Sequence, residues 1–152
     1  MSTPAMQQVL DALAAALGGI SGITFINADP AGAGVYPAMY LAPGGQERVD
    51  EETGQTDWEL RAYVTLLDDD VDAATLAART AVLFAKLVAA VEAVPPTLGG
   101  TCRRAWVEGH DDPEIGPLAS DSGDVVTPPL AVTQCTVRMD YAHVEGDPYT
   151  LI

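Results

Sequence analysis

Cationic side chains are scarce in this sequence: seven Lys and Arg stand against 22 Asp and Glu, a formal net charge of −15. Such a field repels phosphate, so DNA or RNA binding by counterion release is disfavoured, as is adsorption to an anionic membrane. Cysteine is scarcer still. Cys102 and Cys135 are too few for a disulfide scaffold, and the expected place of synthesis is a reducing cytoplasm. No apolar run approaches the roughly 20 residues of a spanning helix, and the N-terminus lacks the pattern of a secretory signal. No fixed-period repeat and no Ser/Gly linker divides the chain.

What is present suffices for one core. With 152 residues, 48% of them hydrophobic, a single domain spanning 1–152 buries roughly 70% of the surface its unfolded chain exposes. The first expected element is a helix, capped by Ser2 or Thr3 with Pro4 in its first turn; Met6, Val9, Leu10, Leu13 and Leu17 form one face, and Gly18-Gly19 the stop. Ile23–Ile26 reads as a buried strand, followed by a turn over 27–34. Val35–Ala42 reads as a strand with an edge or bulge at Pro37, broken by Pro43-Gly44-Gly45.

The clearest strand is Asp57–Leu67. Trp58, Leu60, Ala62, Val64 and Leu66 point one way; Glu59, Arg61, Tyr63 and Thr65 point the other. Asp68, Asp69, Asp70 and Asp72 then open the longest helix, where carboxylates cap free N–H groups. Its expected buried stripe is Leu76, Leu83, Leu87, Val91 and Val94, ended by Pro95-Pro96. Strands near Thr101–Glu108 and Leu130–Val144 complete the set. The order predicts an α+β fold, an antiparallel sheet of about four to five strands with both helices on one face.

Half of the acids lie in two segments. Residues 42–57 hold Glu47, Asp50, Glu51, Glu52 and Asp57 with Arg48 as the one base; Glu108–Asp124 holds six acids and no base. Both read as long acidic hairpin loops, 42–57 and 108–129, that either stay solvated or project into a partner or channel. Arg61, Arg103, Arg104 and Arg138 fall on strands, available to acids of the same chain or of a neighbouring copy.

Chemical motifs fail at decisive places. Asp68, Asp70 and Asp72 match positions one, three and five of a calcium loop, but Ala73 stands where Gly is needed and Arg79 where Glu is needed. Ser120-Asp121-Ser122-Gly123-Asp124 lacks an oriented base, since only His110 and His143 are present. His110-Asp111-Asp112-Pro113-Glu114 has no regular ligand spacing. Gly32-Ala33-Gly34 lacks the third glycine of a dinucleotide fingerprint. The sequence thus predicts no catalytic residue, no cofactor and no metal.

The arrangement resembles the tail terminator (tail completion) proteins of long-tailed bacteriophages. The resemblance rests on the helix ending at Gly18-Gly19, on Val35-Tyr36-Pro37-Ala38-Met39-Tyr40-Leu41 leading into an acidic hairpin, and on Trp58–Leu66 followed at once by an Ala-rich helix. The polar tail Gly146-Asp147-Pro148-Tyr149 completes it. It implies a virion component rather than an enzyme: a hexameric ring that caps the tail tube, stops its growth and meets the head-tail connector. Assembly would take place in the host cytoplasm. Its implied partners are copies of itself, the tail tube protein and the connector, with DNA passing unbound and no membrane. The neighbouring alternatives are a head-completion or neck connector protein and, in a different class, a small-ligand-binding α+β domain.

Six spheres of this chain's size, each about 38 Å across, enclose a hole of about the same width, room for a duplex. On this reading Glu47, Arg48, Asp50, Glu51 and Glu52 are the lumen or partner loop. Ring contacts are heterologous, so two different patches must match. Candidates are Arg61, Arg103, Arg104 and Arg138, and an apolar end of Tyr149, Leu151 and Ile152 that either docks on a neighbour or frays.

Overall fold

The alternation from Trp58 to Leu66 meets an equally long alternation near the C-terminus, and the two pair residue for residue. The computed structural model describes residues 2–26, 35–52, 54–116 and 130–152, with backbone alone for 50–52. Its elements are α1 (Ala5–Gly18), β1 (Thr24–Ile26), β2 (Ala38–Glu52), β3 (Gln55–Asp68), α2 (Ala73–Val91), β4 (Arg104–His110), β5 (Glu114–Gly116), β6 (Leu130–Val144) and β7 (Asp147–Leu151). The fold is α+β. Its sheet runs β1-β2-β3-β6-β4 and curls into a half-barrel.

β3 and β6 pair antiparallel over their full length, from Gln55↔Val144 to Asp68↔Ala131. β6 then shares its other edge among three short partners in turn: β7 at one end, β4 in the middle, β5 at the other. Two features depart from expectation. The sheet has seven strands, and β1 joins β2 in parallel, so it is mixed. β1 lies within the expected Ile23–Ile26 strand, whereas β5 and β7, of three and five residues, are the unexpected ones and are too short to show a clear periodic pattern.

One face carries Leu60, Ala62, Val64, Cys135, Val137 and Met139, all buried. Against them pack Val9, Leu13 and Leu17 of α1 and Leu83, Leu87 and Val91 of α2. Pro4, not Ser2 or Thr3, is the N-cap of α1, and no side chain caps it. Val94 is 94% exposed rather than part of the buried stripe, because the helix stops at Val91 and the chain turns away before Pro95.

The aspartate run serves as a staircase into α2. Asp70 N–H donates to Asp68 Oδ1 at 3.2 Å, Asp72 N–H to Asp70 Oδ1 at 3.0 Å, and Ala74 N–H to the N-cap Asp72 at 3.0 Å. Asp68, 3% exposed, also accepts two 2.7 Å hydrogen bonds from Arg79. Burial drives the Asp68 carboxyl upward, but the Arg79 hydrogen bonds and the Asp70 N–H outweigh it and hold the group below its ordinary value.

Two outcomes are expected. Leu87→Ala empties a fully buried site and lowers stability by about 2–5 kcal/mol, whereas Val94→Ala stays within about 0.5 kcal/mol, both read from urea unfolding. A folded-state value below the unfolded one means that Asp68 stabilises fully above the ordinary carboxylate range, about pH 4, and less as pH falls through its folded value. Asp68→Asn should therefore lower the urea midpoint at pH 7 and converge on the natural chain at acid pH.

Candidate functional site

The face of the sheet away from the helices is a charged surface laid out in rows. Direct cross-strand partners share a face. One row reads Glu47, Glu59, Asp140, Arg104, and the next reads Arg61, Arg138, Trp106. Like charges thus stand directly opposite one another, at Glu47 with Glu59, Glu59 with Asp140, and Arg61 with Arg138. Ion pairs within β3 and diagonally across to β6 offset part of this repulsion. Glu59 accepts from Arg138 and from Arg61, the latter at 3.3 Å, and Arg138 also reaches Glu108 at 3.4 Å. The guanidinium groups of Arg104 and Arg138 lie 4.7 and 5.0 Å from the Trp106 ring, a cation–π pair of contacts on one indole. Arg138 Nε is the one buried side-chain polar atom without a partner among the described residues.

All four arginines assigned to a subunit contact are therefore engaged within the chain. Arg103, one residue ahead of β4 rather than on it, pairs with Asp57 at 3.0 Å.

The segment 42–57 is not a loop. β2 runs through it to Glu52, which faces Gln55, and the reversal passes through Gly54 at φ 91°, a backbone region that favours glycine. Pro43-Gly44-Gly45 bends the strand instead of breaking it. The register shifts there, Gly45 adopts φ 88°, and a Cβ on Gly44 would stand 2.9 Å from the Tyr63 ring. A strand splits the expected acidic loop between two faces: Glu47 lies beside Glu59, while Arg48 lies on the other face, 5.3 Å from the Trp58 ring. Asp50, Glu51 and Glu52 continue the strand opposite Asp57, Thr56 and Gln55.

The second acidic segment is partly strand as well, since Glu108 belongs to β4 and Glu114 opens β5. Ser120–Asp124 and Gly32–Gly34 fall outside the described residues. The C-terminal end is a strand rather than a fraying tail: β7 pairs with β6, Leu151 packs on the core, and Ile152 N–H donates to Ala142 O at 3.0 Å. Tyr149 and Ile152 remain exposed.

Groups with chemical potential are occupied by structure. His110 packs on Phe84 with ring centroids 4.5 Å apart and planes tilted by 58°. Among the described residues no cluster of His, Cys, Asp and Glu is arranged to hold a metal. Burial pushes the thiols of Cys102 and Cys135 up to about 11 and about 12, which leaves them protonated and unreactive at neutral pH.

The β4 edge, and the length of β2 that β1 leaves uncovered, each carry features that oppose strand addition. On β4 the N–H groups of Ala105 and Val107 go to Pro96 O at 2.7 Å and Glu92 Oε2 at 3.5 Å. On β2, Pro43, two register shifts and the run of acids interrupt the edge.

The outer flank of α2 is different. The helix contains no acid, its mean hydropathy is 1.6, and only 22% of it is buried. By length and composition alone it is apolar enough to cross a membrane, a criterion that core helices also meet; this corrects the reading that no apolar run reaches that length, since a count dominated by alanine hides such a run. Its Leu83, Leu87 and Val91 stripe packs on the sheet, while Val82 is 55% exposed. Grooves of about 700 and 490 Å³ between α1 and α2 are lined by Ala15, Ala16, Ala90 and their neighbours. Sequence reasoning passed over this flank. The signal was present as a 19-residue stretch free of acid in a chain with 22 acids.

The thiol assignment yields a direct outcome: a small thiol reagent at about pH 8 leaves the folded chain unlabelled, and both cysteines label once urea unfolds it.

No protein-family model matches the chain, and no characterised protein matches it in sequence.

Proposed function

We propose that the chain is a structural subunit of a phage tail or neck, a terminator-like block that closes with copies of itself into a ring. The observation that supports this most is the outward flank of α2, where alanines and Val82 lie exposed around Lys86 with no acid among them, on an otherwise strongly acidic molecule. Surfaces of that kind serve contacts with partners. With β4 capped and the uncovered length of β2 bent and interrupted, copies meet through faces rather than by strand addition along these strands. A ring requires a heterologous contact, in which the α2 flank of one copy meets a different face of the next.

The sheet face opposite the helices carries acids and bases in adjacent rows, with Arg61 and Arg138 held by Glu59 and Glu108 and with Arg104 and Arg138 over Trp106, an arrangement that leaves these cations engaged within the chain as a duplex passes. In this role the ring stops growth of the tube, presents a surface to the connector and lets DNA pass without specific binding. Shape and charge perform the work, and no bond is made or broken.

The test is sedimentation with negative-stain imaging. The natural chain should form concentration-dependent particles near six times the 15.8 kDa chain mass, alone or on added tube protein. Val82→Glu with Ala89→Glu should keep the fold and leave only monomer. A natural chain that stays monomeric in both conditions contradicts the reading.

A further inference from the structure

His143 is buried, and both its ring nitrogens are committed. Trp58 Nε1–H donates to His143 Nε2 at 2.9 Å, and His143 Nδ1 lies 2.8 Å from Val144 O. An indole N–H only donates and a peptide carbonyl only accepts. These two partners together admit one form of the ring: neutral, with the proton on Nδ1 and the lone pair on Nε2.

The pair sits where two hairpins join. Just beyond it, Glu145 N–H donates to Gly54 O at 3.0 Å and Gly54 N–H donates to Glu145 Oε2 at 3.1 Å, tying the β2–β3 turn to the β6–β7 turn. The charged groups around the pair act in opposite senses. Arg48 of β2 lies 5.3 Å from the Trp58 ring and opposes a second cation there. Asp147, at the start of β7, attracts a charge on His143, while Asp57 of β3 is already held by Arg103.

We propose that Trp58 and His143 form an acid-sensitive latch on the hairpin end of the sheet. A proton taken from solvent onto Nε2 sets two N–H donors face to face. The indole then loses its acceptor, and the imidazolium is drawn from β3 toward Asp147. The long β3–β6 ladder persists, so acid loosens the acidic end of β2 and β3 without unfolding the chain. The inference is independent of the ring reading, since it concerns contacts inside one copy.

The test follows the two tryptophan indole N–H resonances and the His143 ring by NMR from about pH 8 to about pH 5, the range in which histidines change charge. Trp106→Phe assigns the indole peaks. The Trp58 resonance should shift in step with the His143 ring, and its proton should exchange with solvent about fivefold faster in acid. His143→Gln keeps an acceptor that cannot be charged and should abolish the response. A His143 ring that titrates while Trp58 stays unmoved overturns the latch. So does a His143 ring that stays neutral throughout, or an unchanged Trp58 response in His143→Gln.

Discussion

The antiparallel ladder between β3 and β6 is the constraint on which the rest depends. Because successive residues point to opposite sides, a pairing that runs from Gln55↔Val144 to Asp68↔Ala131 sorts some two dozen side chains at once. Leu60, Val64, Val137 and Met139 go to one side and require a cover, which α1 and α2 supply. Glu59, Arg61, Arg138 and Asp140 go to the other, where Glu59 holds both Arg61 and Arg138, and Arg138 also lies over Trp106. A slip of one residue would exchange the two sets, burying four charges and exposing the core.

The same ladder fixes where the molecule can meet anything else. β6 spends its free edge on its own chain, through β7, β4 and β5. The outer edge of β4 is capped from the end of α2, and that of β2 is bent, acidic and interrupted by proline. These devices oppose edge-to-edge aggregation. The proposed assembly role rests instead on the outward flank of α2, which is alanine-rich and free of acid.

Much of this was legible in the residues. The period-two pattern of 57–67 and the helical spacing of Val9, Leu13 and Leu17 need no tertiary information, and both faces are buried as the patterns require. The extent of β2 was not legible. Pro43-Gly44-Gly45 reads as a break, and only the fit of Gly44 against Tyr63 turns it into a bend; the acids that follow favour turns, yet pairing with β3 overrides that preference. Val94 continues the helical spacing but lies beyond the last turn. The charged rows and the Trp58–His143 pair carry no sequence signal at all, because their members are brought together by register across 79 to 85 residues of chain.

The proposed ring requires that the α2 flank of each chain be covered by a second copy. Electron cryomicroscopy of the assembled particle tests it most directly. The account predicts a circle of copies in which Val82 and Lys86 lie against the neighbouring chain; a particle without rotational order, or a ring in which the outer side of α2 faces solvent, contradicts it.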